Sequence, residues 1–443
     1  MWTQNSWKDK KALQAVHYDD QSKLNETLSR LASLPPLITE FEVKKLRRLL
    51  SEAEQGKAFV LQGGDCSEQF SDCTPMMIEN KFKILLQMSV ILIHSLKKPI
   101  IRVGRIAGQY AKPRSADMET QEGVTLPSYR GDIINGPAFT KEARAPDPKR
   151  MEEAYFYSAL TLNYLRGLSG GGFADLHQPQ LWKLQFMHGA ASEAYEAVLR
   201  SITDSIHFFE SIAGMNHDAL SQVSLYTSHE ALHLPYEAAL TRQGQDGLYY
   251  NLGTHFPWVG MRTLQRDGAH IEYLRGIANP IGIKVGPTAD LDELCKIIDI
   301  LNPKHESGKI MLIHRLGREQ VEAKLPLLLE RIQAEGFPVL WSCDPMHGNT
   351  KTTQSGIKTR YFEDIAGELS LAFQIHGRLN IHLGAIHFEM TGENVTECIG
   401  GSSGLSEEDL VRDYKSLVDP RLNYEQAMEI ALKIKPLASP FFL

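Results

Sequence analysis

Phe337-Pro338-Val339-Leu340-Trp341-Ser342-Cys343-Asp344-Pro345-Met346-His347-Gly348-Asn349-Thr350 is the stretch on which the reading of the fold turns. Phe337 to Leu340 is a short apolar run of the length of a buried strand. Asp344-Pro345 then turns the chain, and His347 is presented at the tip beside a glycine. A helical pattern precedes the run at Val321–Gly336, and another follows at Phe362–Gly377. Helix, buried strand, polar tip and helix form the repeating unit of a parallel sheet with helices outside it.

Outward from this stretch the same unit recurs from about Lys57. The apolar runs are Ala58–Gln62, Pro99–Val103, Val223–Tyr226, Leu248–Leu252, Ile281–Val285, Ile310–Ile313, Val339–Ser342 and Ile381–Ile386. Helical patterns such as Met77–Leu96 and Leu291–Leu301 follow several of them. Eight such units predict an α/β fold, a (β/α)8 TIM barrel. A doubly wound open sheet would have fewer strands and a glycine-rich phosphate loop at its first turn, which Gln62-Gly63-Gly64-Asp65 matches weakly. Residues 1–55 are polar and helix-prone, with helical spacing at Leu24–Leu34 and Glu40–Leu50 separated by Pro35-Pro36. They read as an N-terminal extension to a barrel domain spanning 56–443. Residues 104–222 separate the second and third runs, far more than one helix requires. They hold a long loop, Gln121 to Arg150, and helical patterns at Met151–Leu168 and Glu193–Ala213 broken at Ser169-Gly170-Gly171-Gly172. This predicts an extra helix pair, about 150–215, inserted after the second barrel strand.

Apolar residues make up 42% of the 443 and charged residues 23%, which places the chain among soluble globular proteins. The net charge of −7 argues against nucleic acid or an anionic membrane as a partner, so any anionic substrate needs a local cluster of Arg and Lys. Met1 to Lys11 has no apolar core of the signal-peptide kind, and the run Ile84–Leu96 is too short to span a bilayer. Five cysteines without a repeating spacing point to free thiols in a reducing compartment. The expectation is a cytoplasmic protein.

Four candidate metal ligands end or follow strands: Cys66 after the first, His347 after the seventh, Glu389 after the eighth, and Asp419 in a later loop. In a closed barrel the ends of strands one, seven and eight are neighbours. A mixed S/N/O set suits a divalent transition ion, Mn, Fe, Co or Zn, rather than a structural zinc cage or a calcium site. Taken singly, Cys66 would be a small buried hydrophobe, Glu389 a solvated charge and Asp419 a turn cap. His382 lies on the opposite strand face from Glu389, and His387 shares its face only if the strand runs that far; neither is taken as a ligand. Arg105, Lys112, Arg114, Arg262, Lys284 and Arg315 also follow strands. Six cations converging at one end of a barrel predict a substrate with phosphate and more than one anionic group.

The stretches Gln62-Gly63-Gly64-Asp65-Cys66, Arg105 to Ser115, Leu126-Pro127-Ser128-Tyr129-Arg130-Gly131-Asp132, Thr227-Ser228-His229-Glu230, Cys343 to Thr350 and Thr391 to Cys398 resemble the class II (plant and microbial) 3-deoxy-D-arabino-heptulosonate-7-phosphate (DAHP) synthases. The resemblance covers the whole chain. It implies the same barrel with an N-terminal extension and inserted helices. It further implies condensation of phosphoenolpyruvate with erythrose 4-phosphate, the first step of the shikimate pathway, on a divalent metal, Mn2+ or Co2+ before Zn2+ or Fe2+. Cys66, His347, Glu389 and Asp419 would hold the metal. Arg105, Met261, Arg262, Lys284 and Arg315 would contact phosphoenolpyruvate, and the run Lys112, Pro113, Arg114, Ser115 would meet erythrose 4-phosphate. Lys112, Glu230 and Arg105 are the expected catalytic residues. A homo-oligomer, dimer or tetramer, and inhibition by an aromatic amino acid are also implied. One departure stands out: the family usually has Glu where this chain has Met261. The alternatives are a relative serving a secondary pathway, of phenazine type or with an amino-sugar phosphate, and a non-catalytic metal-binding regulatory subunit.

Overall fold

The computed structural model describes residues 2–175, 177–182, 190–213 and 222–438. Eight parallel strands close into a barrel in chain order: β1 (Phe59–Gly64), β2 (Ile100–Arg105), β3 (Leu225–Glu230), β4 (Phe256–Val259), β5 (Ile281–Val285), β6 (Ile310–His314), β7 (Leu340–Cys343) and β8 (Leu383–Glu389). Closure pairs β1 with β8 and sets Gly64 opposite Glu389, while on its other side Gly64 faces Arg105 of β2. The register therefore brings the ends of β1, β2 and β8 together. The predicted barrel is the observed fold.

The fourth strand is corrected. Leu248–Leu252 is not in the barrel; Tyr249–Asn251 pairs antiparallel with Thr241–Gln243 in a separate ribbon. That run is apolar because Tyr250 and Leu252 pack with Tyr18, Leu31 and Leu37 of the N-terminal segment. The true strand, β4, carries Pro257, which lacks a ladder N–H and reads as a break; it lies opposite His229. The loop expected from Gln121 to Arg150 also holds more structure than predicted: Met118–Gln121 pairs with Val124–Pro127, and Lys141–Arg144 forms a helical turn.

Side-chain alternation divides the barrel interior from its coat. Phe59 and Leu61 face outward into the large core that includes helix residues Ile84, Leu85 and Met88, while Val60 faces inward. Two helices precede the barrel, α1 (Gln21–Ser33) and α2 (Glu40–Glu54). α2 begins with a capping box between Thr39 and Glu42. Its Leu46, Leu50 and Ala53 plug the end of the barrel where the strands begin, against Val60, Ile101, Phe256, Met311 and Leu340. The other end is left for polar side chains. α3 (Pro75–Leu96) follows β1, with Thr74 as cap and proline at its first position. Between β2 and β3 lie α4 (Lys149–Gly170) and α5 (Ala190–Ala213). Leu165 and Leu168 of α4 pack on Phe82 and Leu86 of α3. Residues 183–189 and 214–221, on which the expected insertion also falls, lie outside the described residues. No helix among the described residues is long and apolar enough to cross a membrane.

Lys309, just before β6, is buried and donates to Ile277 O at 2.6 Å and Asn279 O at 2.7 Å. Burial, with Arg47 nearby, pulls its pKa from 10.5 down to about 7. Between those values the unfolded chain binds a proton that the folded chain does not, so stability rises with pH through that window. The full cost of burying the ammonium is felt below it. Denaturant unfolding from pH 7 to pH 9 is expected to show a gain of about 2 kcal/mol in the wild type that Lys309→Met lacks. Equal pH slopes in the two proteins would refute this.

Candidate active site

The C-terminal strand ends present a compact S/N/O cluster. One ligand atom each from Cys66, Glu389 and Asp419 lie within 4.8 Å of one another. Cys66 Sγ is 3.7 Å from Asp419 Oδ2. His347 joins through Glu389, its Nε2 lying 3.0 Å from Oε1. The Nδ1 of His347 is 2.7 Å from Asp344 Oδ2, and Asp344 Oδ1 accepts the backbone N–H groups of Met346 and His347. An Nδ1–H donated to Asp344 leaves the Nε2 lone pair facing a carboxylate oxygen, two acceptors that need a cation or proton between them. Burial pushes the Cys66 thiol up, and Glu389 adds to this, whereas a bound cation favours the thiolate. The donor set therefore fits a divalent transition ion.

Lys112 enters the same cluster. Its Nζ is 2.7 Å from Cys66 Sγ, 2.9 Å from Asp419 Oδ2 and 3.6 Å from Glu389 Oε1. Burial alone would lower its pKa, but Asp419, Cys66 and Glu389 outweigh burial and hold it protonated. Burial would likewise raise the Glu389 carboxyl, yet His347, Lys112, Arg360 and Arg105 keep it well below the usual carboxylate range. Behind the cluster, Asp65 pairs with Lys81 at 2.5 Å and with Arg421 at 2.6 Å, and Arg421 also holds Glu397 at 2.7 Å. This network braces the residues flanking Cys66 and Asp419.

Beside the cluster lies a cavity of about 80 Å³ lined by Arg105, Lys112, Pro113, Glu230, Trp258, Gly260, Met261, Arg262, Lys284, Arg315, His347 and Asp419. Five of the six expected cations line it. Arg105 is 1% exposed and largely committed: it donates to Asp65 O, Cys66 O, His387 Nε2 and Glu389 Oε1. Of its five N–H groups, one on Nη1 is left for a substrate anion. Burial draws the Lys284 ammonium down to about 8 despite its contact with Asp344. Arg315 donates to His347 O at 2.6 Å. Arg114 is the exception, because its guanidinium turns to Glu119 at 2.8 Å and does not line the cavity. Ser115 also stands outside the lining, accepting from Arg262 at 2.9 Å on the rim. Burial raises the pKa of Glu230, whose carboxylate packs against Gly260: a Cβ there would lie 2.3 Å from Oε1 and would push the carboxylate aside. Met261 Sδ accepts from Gly286 N at 3.1 Å, in the place where the resemblance leads one to expect a carboxylate.

The model of the Class-II DAHP synthetase family matches residues 2–435. This chain belongs to that family. Three curated relatives agree. The phospho-2-dehydro-3-deoxyheptonate aldolase of Neurospora crassa is 45% identical over 98% of this chain and 93% of its own length. Its namesake in Streptomyces coelicolor is 43% identical over 97% and 96%. Phospho-2-dehydro-3-deoxyheptonate aldolase AroG of Mycolicibacterium smegmatis is 42% identical over 96% and 92%.

Several residues of this class-II chain's site escaped sequence reasoning. Arg360 is fully buried and its Nη1 meets Glu389 Oε2 at 2.8 Å, from a short ribbon pairing Thr350–Thr352 with Lys358–Arg360. His387, weighed from the sequence and set aside as a ligand, does share the inward face of Glu389 because β8 runs that far, and it accepts from Arg105 at 2.7 Å. Glu368 accepts from the N–H groups of Leu316 and Gly317 and from Asn349 Nδ2, tying the loop after β6 to the loop after β7. Burial raises its pKa to about 8. Glu368 had a signal: it sits on the apolar face of its helix with Ile365, Leu369 and Ala372, where a carboxylate needs a reason.

Proposed function

We infer that the chain condenses phosphoenolpyruvate with D-erythrose 4-phosphate and water to 3-deoxy-D-arabino-heptulosonate 7-phosphate and phosphate, the first step of the shikimate route to chorismate and the aromatic amino acids. We propose that it does so with a divalent metal, Mn2+ or Co2+, held by Cys66, His347, Glu389 and Asp419. The observation that carries this reading is the thiol, imidazole and two carboxylates meeting at the wall of a cavity lined by five cations.

Arg105, Arg262, Lys284 and Arg315 neutralise the phosphate and carboxylate of phosphoenolpyruvate, with Met261 beside them. Fixing both substrates converts the encounter of their reacting carbons into an intramolecular event. The bound metal would polarise the aldehyde oxygen of erythrose 4-phosphate as a Lewis acid. The enol carbon attacks the aldehyde carbon, and Lys112 Nζ donates its proton to the new alkoxide. Glu230 places a water against the cationic carbon left on the former phosphoenolpyruvate and takes its proton, which its raised pKa favours. The hemiketal phosphate so formed collapses: its hydroxyl proton passes to the departing phosphate as the C–O bond to phosphate breaks, leaving the ketone. Pro113, Arg114 and Ser115 flank the erythrose 4-phosphate end, Arg114 through its backbone. Met261 replaces a carboxylate that would repel phosphate, so the cavity remains cationic.

Residues 1–55 serve as an extension to a catalytic barrel of 56–443, the protein is cytoplasmic, and it assembles as a dimer or tetramer. An aromatic amino acid effector fits the cavity of about 180 Å³ between α2, α4 and β3, where Glu42 and Arg166 stand beside Leu162 and Leu165.

Consumption of phosphoenolpyruvate in the presence of erythrose 4-phosphate tests the function. Turnover lost to a chelator and regained with Mn2+ or Co2+ is expected, with amino analogues of the aldose phosphate as poorer substrates. Metal-loaded protein that leaves both substrates untouched would sink the reading.

A further inference from the structure

The N-terminal segment ahead of α1 runs along the loops after β4, β3 and β2 and reaches Arg114, next to the cavity-lining Lys112 and Pro113. It is pinned along its length. Trp2 Nε1 donates to Glu272 O at 2.9 Å, Lys11 O accepts from Ala269 N at 3.0 Å, and the buried Tyr18 hydroxyl meets His233 Nε2 at 3.0 Å. Between these pins, Gln14 turns in the left-handed region at φ 60°, uncommon for a non-glycine residue. Its side-chain Oε1 accepts the backbone N–H of Arg114 at 2.8 Å. Its backbone carbonyl accepts from Arg130 Nη1 at 3.3 Å. Arg130 in turn accepts the backbone N–H of Lys112 at 2.9 Å and pairs with Asp117. One residue of the extension thus bonds, directly or through Arg130, to both ends of the Lys112–Arg114 run.

We propose that Gln14 is a positioning residue for the aldose phosphate: by holding the Arg114 N–H it fixes the backbone next to Lys112 and Pro113, the two residues of this run that line the cavity and against which that substrate binds. The proposal rests on the assignment of this wall to erythrose 4-phosphate. Phosphoenolpyruvate also meets Lys284 and Arg315, which make no hydrogen bond or ion pair with the 112–115 run, so the two substrates respond differently when the contact is removed.

Gln14→Gly keeps the left-handed backbone without strain and keeps the carbonyl for Arg130, but deletes the acceptor for Arg114. Gln14→Glu keeps an acceptor. Steady-state KM for each substrate, Tm, and hydrogen exchange of a peptide spanning 112–117 are the readouts, on the metal-loaded full chain. Gln14→Gly is expected to raise KM for erythrose 4-phosphate about fivefold, the worth of one neutral hydrogen bond. Exchange at 112–117 should quicken, while Tm and KM for phosphoenolpyruvate stay as in the wild type, and Gln14→Glu should restore both altered readouts. An unchanged KM for erythrose 4-phosphate, a parallel rise in both KM values, or no rescue by Gln14→Glu overturns the proposal while leaving the activity intact. A wild type that binds metal but does not use erythrose 4-phosphate overturns the activity reading instead, and this inference with it.

Discussion

Glu389→Gln is expected to lower kcat/KM on the order of a thousandfold and to cost about 3 kcal/mol of stability, because one carboxylate serves both the metal site and the charge balance around it. Its side chain is fully buried. Arg360 Nη1 stands 2.8 Å from one oxygen; Arg105 Nη2 at 3.0 Å, His347 Nε2 at 3.0 Å and Lys112 Nζ at 3.6 Å surround the other. A neutral amide keeps the shape and removes the charge. Arg360 then keeps Thr350 Oγ1 and Pro420 O as hydrogen-bond partners and loses its contacting counter-charge, with only Asp419 left nearby, and a poorly compensated buried cation is the costly outcome of breaking such a pair. The carboxyl is held below its usual range, so its contribution is present above pH 4.5 and is lost only as acid titrates it at lower pH. Unfolding in denaturant at pH 7 reads the stability, and calorimetric titration with Mn2+ reads the metal. Adding Arg360→Met to Glu389→Gln should recover part of the stability and none of the turnover, which separates the two roles. A Glu389→Gln protein that binds Mn2+ and turns over like the wild type would remove Glu389 from the ligand set.

What the chain discloses before folding follows from range. Strands buried on both faces read as continuous apolar runs, so most of the barrel was legible, and closure then made neighbours of Cys66, His347 and Glu389. β4 was hidden because Pro257 breaks the strand signature while Leu248–Leu252, packed under the N-terminal segment, imitates it. Arg114 misled because a guanidinium near a strand end looks like an anion ligand, and its partner Glu119 becomes visible only when the hairpin Met118–Pro127 folds back. Arg360 gave no local signal, since it lies on a polar ribbon and its meaning comes from Glu389 in a different element. Asp344 stood in plain view before a proline, where a turn explains it as well as a carboxylate holding His347 does.

Lys112→Met should lower kcat by two to four orders of magnitude, the range for a group that moves a proton in the transition state. Lys112 is 8% exposed, lines the cavity, and reaches over Cys66 and Asp419 with its Nζ. Asp419, Cys66 and Glu389 hold its proton against the pull of burial, so Lys112 enters the reaction protonated and can give that proton to the strongly basic alkoxide that the new C–C bond produces. Methionine keeps the length and apolar stem and removes both charge and proton. The same substitution takes a cation away from Cys66, Glu389 and Asp419, so a divalent ion held by those residues should bind more tightly, not less. Opposite movements in turnover and metal affinity are the signature to seek, because a collapsed site would lose both. The KM for phosphoenolpyruvate should hardly change, since Arg262, Lys284 and Arg315 are untouched. Near-normal turnover in Lys112→Met would end the proton-donor role. Lost turnover together with weakened Mn2+ binding would recast Lys112 as a structural counter-charge for Asp419 and Glu389.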